Sequence, residues 1–340
     1  MRAWALHQPS DAEREPLKLE ERPLPQPGPG ELRLRVAACG VCHTDLHTVE
    51  GELPPVRLPV VPGHQVVATV EALGEGAEAW LPAGVRTGSR VGVPWLFRAC
   101  GRCEYCLEGK ENLCERPQFT GYHADGGYAE YMVAPAESVL PLPDRYSDIE
   151  AAPLLCAGII GYRSLKVAKV EPGQRLALLG FGASAHLTLQ VAVAWGCEVL
   201  VFSRQERHRE LARRLGAVWA GEAGERPPFQ VHAAISFAPV GSLIPTGLSV
   251  LRKGGTLAIN AVHLDRVPEF KYPLIYGERR LASVANTTRA DGREFMALAA
   301  RLPLKVHAQP VPFEEANRAL VRLKRADVEG ALVLKIGESR

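Results

Sequence analysis

The feature that most constrains the fold is a glycine-rich turn between an apolar segment and a segment of helical length. Residues 176–180 are a short apolar run, typical of a buried strand, and the turn that ends it reads Gly180-Phe181-Gly182-Ala183-Ser184-Ala185. This matches Gly-x-Gly-x-x-Gly/Ala, in which the third small residue lets the helix pack closely on the strand. Because the two glycines let a pyrophosphate approach backbone N–H groups at a helix N-terminus, the turn predicts dinucleotide binding.

The segments around this turn alternate between strand-like and helix-like patterns. Residues 198–202 form the next apolar strand candidate, and the alternation extends from about 154 to 286. It predicts a doubly wound α/β domain with a parallel sheet, the Rossmann fold. Residues 1–153 differ, because short strand candidates such as 31–38 and 66–73 are separated by Pro/Gly turns. This pattern predicts a mostly antiparallel, partly barrel-like β domain.

A chain of 340 residues is long enough for two domains. We assign residues 154–286 to the Rossmann domain. The β domain takes residues 1–153 and, returning after the Rossmann segment, residues 287–340. In that last part we expect a helix at 293–301 and a closing strand at 330–336.

Composition excludes several classes of partner. With 46% hydrophobic and 23% charged residues and a net charge of +2, the chain has no electrostatic footprint for nucleic acid or anionic lipid. No apolar run approaches the ~20 residues that a membrane span requires. The N-terminus has no signal-peptide core, so a cytoplasmic location is expected.

The end of the second strand candidate predicts which dinucleotide binds. An NAD site usually places Asp or Glu there, about 20 residues after the glycine turn, to bond the ribose hydroxyls. This chain has Ser203 at that place, followed by Arg204 and Arg207. Guanidinium groups form forked hydrogen bonds with a 2′-phosphate, which favours NADP(H) over NAD(H). The alternative is that both arginines only solvate the start of the next helix.

Four cysteines lie close together in a Cys-x2-Cys-x2-Cys-x7-Cys pattern, namely Cys100, Cys103, Cys106 and Cys114. Four thiolates complete a tetrahedral zinc site and leave no position for substrate, so we predict a structural zinc in a lobe at about 95–116. The alternatives are reduced free thiols and an iron–sulfur cluster. The short bacterial cluster motif has a tighter spacing to its fourth cysteine and a following proline, whereas Glu115 follows here.

A second set of candidate metal ligands consists of Cys42, His64 and the distant Cys156. Thiolate and imidazole are ligands that zinc prefers. Two thiolates and one imidazole leave the fourth tetrahedral position open, which is typical of a catalytic zinc. The set therefore predicts a metal that polarises a substrate oxygen.

With these motifs the chain resembles the zinc-dependent medium-chain alcohol dehydrogenases over essentially its whole length. The resemblance is carried by Cys39-Gly40-Val41-Cys42-His43-Thr44-Asp45, Gly63-His64, the four-cysteine lobe, Leu155-Cys156-Ala157-Gly158, Gly180-Phe181-Gly182 and Thr288-Arg289-Ala290-Asp291. It implies a GroES-like catalytic domain, a Rossmann domain and assembly as a homodimer or homotetramer. It also implies hydride transfer between an alcohol and the corresponding aldehyde or ketone, with a nicotinamide dinucleotide as cofactor.

Matched by position, the family's catalytic zinc ligands are Cys42, His64 and Cys156. The resemblance further implies that Thr44 bonds the substrate alcohol and that His47 is the outer end of a proton relay through the cofactor ribose. Taken alone, Thr44 could be a helix N-cap, and His47 in isolation is better explained as an ordinary surface histidine.

Four other residues receive roles from the same matching. Asp45 is expected to orient the ligand histidine, although it could also cap the helix. Trp95 is expected to form a wall of the substrate pocket, with a core position as the alternative. His43 and Arg289 are expected beside the cofactor phosphates.

The chain departs from the family pattern at Gln65, where a Glu usually follows the ligand histidine, and at Ala331, where many members place an Arg on the cofactor phosphates. These departures are the only support for a catalytically idle, zinc-stabilised nucleotide-binding protein. A zinc-free quinone or enoyl reductase of the same build is the other alternative, but its members generally lack both ligand sets. The sequence therefore favours an alcohol dehydrogenase or aldehyde reductase.

Overall fold

The computed structural model describes residues 1–337, which divide into two compact units. The first contains Met1–Cys156, Asn286–Arg301 and the residues from Val306 onwards, and the second contains Ala157–Ala285 and Leu302–Lys305. The sequence assigned Leu302–Lys305 to the first domain. These four residues cluster with the second unit, where the side chain of Gln190 bonds both the N–H and the C=O of Lys305, at 2.7 and 3.0 Å.

The described residues form strands and helices with the following bounds. The strands are β1 (Arg2–Leu6), β2 (Leu17–Glu21), β3 (Glu31–Val41), β4 (Val66–Leu73), β5 (Arg90–Val93), β6 (Leu96–Arg98), β7 (Gln118–Phe119), β8 (Tyr131–Pro135), β9 (Leu140–Pro141), β10 (Arg175–Leu179), β11 (Glu198–Phe202), β12 (Trp219–Gly221), β13 (Val231–Ser236), β14 (Leu251–Ile259), β15 (Arg280–Ser283), β16 (Ala308–Pro312) and β17 (Ala331–Lys335). The α-helices are α1 (His43–Glu50), α2 (Glu104–Leu107), α3 (Asp148–Pro153), α4 (Ile159–Val167), α5 (Ala183–Ala194), α6 (Glu206–Arg214), α7 (Leu243–Val250), α8 (Arg289–Arg301) and α9 (Ala316–Lys324).

The first unit is built on a mostly antiparallel sheet with the strand order β16-β17-β3-β4-β5-β9, in which β8 also pairs with β3. Only the β16–β17 pair is parallel within this described sheet. The long central strand β3 buries alternate side chains, including Leu32, Leu34 and Val36, in the core of this unit. Alternation with period two is what one buried sheet face requires. The mostly antiparallel β domain expected from the sequence is therefore confirmed.

The second unit contains a six-stranded parallel sheet with the strand order β12-β11-β10-β13-β14-β15. Counted from β10, this is the 3-2-1-4-5-6 order of a Rossmann fold. Residues 176–179 of β10 are fully buried, as expected for a strand covered on both faces. The strand order reverses between β10 and β13, which is the point where ligands bind in open parallel sheets.

The predicted tail helix begins earlier than the sequence indicated, at Arg289 rather than at 293. Thr288 and Asp291 form reciprocal side-chain to backbone hydrogen bonds of 2.9 and 3.0 Å, which satisfy N–H groups at the helix start. The predicted closing strand is β17, which is one residue shorter at each end. Among residues 1–337 no helix is both long and apolar enough to cross a bilayer.

Candidate active site and metal centres

Helix α1 begins directly after the long central strand, and its N-terminus builds the first part of the site. Cys42 is the N-cap in an extended conformation, and its N–H donates a 2.9 Å hydrogen bond to Oδ2 of Asp45, three residues later. This is half of a capping box, so Asp45 satisfies a donor that the helix itself cannot. The cap fixes the backbone that carries the Cys42 thiol.

Asp45 also binds the segment that carries His64. Its Oδ1 accepts the N–H of Gly63 at 3.1 Å and lies 3.1 Å from Nδ1 of His64, while the hydroxyl of Tyr128 lies 3.5 Å from Oδ2. The carboxylate is 2% exposed, so these bonds are shielded from water. With Nδ1 donating to Asp45, the lone pair of His64 lies on Nε2. The capping and orienting roles weighed for Asp45 are thus geometrically compatible.

Gly63 must be glycine for two reasons. Its φ of +99° lies in the region that L side chains avoid, and a Cβ would come within 2.4 Å of the Tyr128 ring and 2.8 Å of Cys39 Sγ. The close approach of this backbone places the neighbouring His64 side chain beside α1.

Cys156 reaches the same place from far downstream in the sequence. It lies in a one-turn π-helix, Leu154–Gly158, and such turns are frequent at functional sites. The ligand atoms of Cys42, His64 and Cys156 all lie within 4.8 Å of one another. Two thiols and one imidazole at this spacing fit a tetrahedral zinc that keeps one position for a non-protein ligand.

The charges of this cluster suit a divalent cation. A hydrogen bond from Cys156 holds the pKa of the Cys42 thiol well below its ordinary value. Burial lowers the pKa of His64, but the Asp45 carboxylate and the Cys42 thiolate outweigh burial and raise that pKa to about 10. The Cys42 thiolate and the His64 imidazolium therefore compensate each other, and a divalent cation held here would replace the proton on Nε2 of His64 in this balance.

The four cysteines of the lobe also come together, with their sulfur atoms within 4.8 Å of one another. Backbone N–H groups point at the sulfurs, since Cys103 N lies 3.4 Å from Cys100 Sγ and Cys100 N lies 3.3 Å from Cys114 Sγ. N–H groups of Arg102 and Cys103 lower the pKa of Cys100 to about 6. Donors aimed at sulfur stabilise thiolates, so this donor set fits a closed zinc site.

Trp95 lies directly against the ligand histidine. Its ring meets the His64 imidazole edge-on at 4.9 Å and stacks on Phe119 at 4.7 Å with an interplanar angle of 8°. Its Nε1 donates to Oδ1 of Asn286 at 3.1 Å. The indole is thus fixed by Phe119 stacked on it, by His64 in an edge-on contact and by Asn286 bonded to its Nε1. Phe119 and Asn286 were missed by the sequence reasoning because they carry no local motif and meet Trp95 only after folding.

The other α1 residues differ in exposure. Thr44 is buried, and its Oγ1 lies 3.9 Å from Cys42 Sγ, beside the candidate metal ligands. His43 is exposed, and its ring lies 6.3 Å from that of the partly buried His47. Gln65 is buried and packs against Gly40. A Cβ at position 40 would come within 2.9 Å of the Gln65 side chain.

The glycine turn has the expected strand–turn–helix context. Gly180, with φ +89°, follows β10, and a Cβ there would come within 3.0 Å of Ala238. Gly182 is the N-cap of α5, and Ala185 is fully buried at the third small position. The first N–H groups of α5 have no partner within the helix, which is the arrangement that binds phosphate.

The turn after β11 brings Ser203 and the two predicted arginines to the start of α6. Arg204 is exposed, and among residues 1–337 its guanidinium has no hydrogen-bond partner, whereas Nε of Arg207 donates to Gln205 at 2.8 Å. Arg209, missed by the sequence reasoning, holds the turn because its Nη1 bonds the C=O of Ser203 at 2.7 Å and that of Arg204 at 3.2 Å.

Arg289 lies at the first position of α8 in the first unit. Its guanidinium forms a 2.7 Å ion pair with Glu137, and its N–H donates to Glu111 at 2.9 Å. Its buried Nε has no hydrogen-bond partner among the described residues. Ala331, at the start of β17, is buried.

Comparisons with known proteins agree with this geometry. The family model described as alcohol dehydrogenase GroES-like domain matches residues 28–144, and the model described as zinc-binding dehydrogenase matches residues 185–301. The probable alcohol dehydrogenase AdhA of Mycobacterium tuberculosis is 47% identical over 337 residues, which are 99% of this chain and 97% of that protein. The chain belongs to the zinc-dependent medium-chain alcohol dehydrogenases.

Solved structures of this alcohol dehydrogenase class share the fold. The cinnamyl alcohol dehydrogenase SbCAD4 of Sorghum bicolor is 28% identical, with a TM-score of 0.88 over 98% of this chain and 97% of that one. The acetophenone reductase of Geotrichum candidum, solved in complex with NAD, is 26% identical, with a TM-score of 0.84 over 98% and 96%. Membership of the family and its α/β fold, predicted from the motifs, are therefore confirmed, and the chain is an oxidoreductase of the alcohol dehydrogenase type.

Proposed function

We propose that the chain is a zinc-dependent alcohol dehydrogenase or aldehyde reductase that prefers NADP(H). The observation that carries this proposal is the convergence of Cys42, His64 and Cys156 within 4.8 Å. Zinc bound there supplies a Lewis acid that polarises the substrate oxygen and lowers the pKa of an alcohol. The four cysteines of the lobe would hold a second zinc, whose role would be structural because they leave no position for substrate.

Proton transfer and substrate positioning are assigned to this chain's own side chains. Thr44 Oγ1, buried beside Cys42, would take the proton of the substrate hydroxyl while giving its own hydroxyl proton to the relay through the cofactor ribose, and His47 on the same helix would take a proton from that relay and release it to solvent. Trp95, fixed by Phe119 and Asn286, forms a rigid apolar wall beside His64. A fixed wall orients the substrate and excludes water. Both effects lower the activation free energy of hydride transfer without a further reacting group.

The direct test is metal content measured together with NADPH-dependent turnover on a panel of aldehydes. Two zincs per chain with turnover supports the enzyme. Two zincs without turnover on any aldehyde or alcohol supports the idle nucleotide-binding protein instead. Turnover on quinones or enones without zinc supports the reductase alternative.

Asp45→Asn is expected to weaken zinc binding at the catalytic site about 10–100-fold. The neutral amide lacks the negative charge with which the Asp45 carboxylate stabilises the His64 ligand through Nδ1. Zinc affinity is measured by competition with a chromogenic chelator. Asp291→Asn is the matched control, since Asp291 is also buried and also caps a helix. Equal zinc affinities for wild type and Asp45→Asn would contradict the orienting role.

Preference for NADP(H) is tested at Arg204, which is exposed at the end of β11 beside Ser203. Arg204→Ala is expected to raise KM for NADPH about tenfold and to leave KM for NADH within about twofold, because a charge-assisted hydrogen bond to the 2′-phosphate is lost. Arg214→Ala, at the other end of α6, is the control. A wild-type protein that uses NADH as efficiently as NADPH would refute the preference.

We further propose a homodimer or homotetramer that associates through the second unit. Support comes from β15, an edge strand on which Leu281 is 38% exposed. Tyr272 and Tyr276 nearby in sequence are also exposed, at 69% and 66%. Exposed apolar side chains beside an unpaired strand edge are typical of surfaces that pair with another copy. The cytoplasmic location, like the roles of His43 and Arg289 at the cofactor phosphates, stays a prediction.

A further inference from the structure

The C-terminal end of α1 folds back over His47. Gly51, with φ +82°, follows the helix, and its N–H donates to the C=O of Thr48 at 3.3 Å. Two residues later the N–H of Leu53 donates to the C=O of His47 at 3.0 Å. A left-handed residue followed by such a long backward bond is the usual way to end a helix and reverse the chain. The reversal carries Glu52 back beside the His47 side chain.

Glu52 and His47 are in hydrogen-bond contact, with Oε2 of Glu52 2.5 Å from Nδ1 of His47. The His47 side chain is 22% exposed and that of Glu52 is 52% exposed, so the contact lies at the surface with His47 on its inner side. A carboxylate is only an acceptor, so Nδ1 of His47 carries the proton in this bond. In the neutral ring the basic lone pair is then on Nε2.

Other charged groups near α1 have different partners. Glu50, on the same helix, accepts hydrogen bonds from Nζ of Lys324 on α9 at 2.6 Å and from the N–H of Ala12 at 2.9 Å. Lys324 also pairs with Asp11 at 2.8 Å. His43 also lies beside His47, at 6.3 Å between ring centroids. Glu52 is in direct hydrogen-bond contact with the His47 ring.

We propose that Glu52 is a positioning residue of the proton relay, a role that rests on the proposed function of His47. Glu52 holds the Nδ1 proton, so the relayed proton adds to Nε2 and gives an imidazolium whose charge the carboxylate balances. The proton then leaves from Nε2 to a water or buffer base, and the Nδ1 proton stays in place throughout. The arrangement follows the same logic as a carboxylate that fixes the tautomer of a catalytic histidine.

A double-mutant cycle on the zinc-loaded full-length protein tests this proposal. Glu52→Ala and His47→Gln are each expected to lower kcat for alcohol oxidation about tenfold, with KM for the alcohol within about twofold. The double variant is expected to be no slower than His47→Gln, because Glu52 acts only through His47. Glu75→Ala, which removes another exposed carboxylate of the same unit, is expected to keep wild-type kcat.

Nitrogen-15 NMR of the His47 ring measures its tautomer directly. A Glu52 side chain with only a structural role would not change that tautomer. The wild-type ring is expected in the Nδ1–H tautomer, and Glu52→Ala is expected to shift it toward Nε2–H. The role of Glu52 is wrong if Glu52→Ala lowers kcat by the same factor in the His47→Gln background as in the wild-type protein. It is also wrong if Glu52→Ala leaves both kcat and the His47 tautomer unchanged. If His47→Gln itself keeps wild-type kcat, the relay in the proposed function is wrong, and Glu52 loses its role with it.

Discussion

Cys156→Ala is expected to reduce kcat/KM for alcohol oxidation at least about 10³-fold while the chain remains folded. The loss corresponds to roughly 4 kcal/mol of transition-state stabilisation, which is within what a Lewis-acidic metal supplies. The substitution removes one of three protein ligands and leaves Cys42 and His64 as a weak pair. Zinc content by mass spectrometry is expected to fall from two ions per chain to one.

Cys197→Ala is the control for this substitution. Cys197 is a buried cysteine whose Sγ contacts the C=O of Glu171, and it belongs to neither candidate metal cluster. The control is expected to keep two zincs and wild-type kcat/KM. An active Cys156→Ala protein that still holds two zincs would contradict the catalytic metal site.

Cys103→Ala is expected to lower stability rather than to remove the chemistry directly. Between Cys100 and Cys114 the lobe has only the four-residue α2 and one 3-10 turn, and only Asn112 and Cys114 are buried, so we expect zinc binding to contribute much of its folding free energy. We expect the free energy of unfolding to fall by about 3–5 kcal/mol, at the large end of single substitutions. Thermal unfolding followed by circular dichroism, with zinc release followed in parallel, measures this.

A second substitution in the same lobe separates zinc loss from a general surface effect. Leu107 lies on α2 and is 76% exposed, so Leu107→Ala removes a side chain of the lobe without touching a sulfur ligand. Its melting temperature is expected to match that of wild type. If Cys103→Ala also melts like wild type, the lobe has no structural zinc.

Much of the fold could be predicted from the sequence because it depends on local patterns. The apolar strand before Gly180, the small residue at Ala185 and the alternation around them determine a parallel sheet with a helix beginning at the turn. The ligand cysteines of the lobe are close in sequence, so their spacing alone predicts their convergence. Cys42 and Cys156 are more than a hundred residues apart, so they were grouped with His64 by ligand type and by the family resemblance, and their spacing gave no support.

What the sequence did not reveal depends on contacts formed in three dimensions. The Asn286–Trp95 bond joins residues 191 positions apart in the sequence, and no periodicity carries that information. The start of α8 was misplaced because the apolar pattern begins after the Thr288–Asp291 cap. Glu52 was missed for a different reason, since it reaches His47 only after the helix ends in a left-handed Gly51.

The most direct test of the central claim is anomalous diffraction at the zinc edge from crystals grown with NADPH. The account predicts two zinc peaks per chain. One is bound by Cys42, His64 and Cys156 with a non-protein fourth ligand, and the other by the four cysteines of the lobe. A fourth protein ligand filling the first site, or those three side chains turned away from one another with no metal between them, would contradict it.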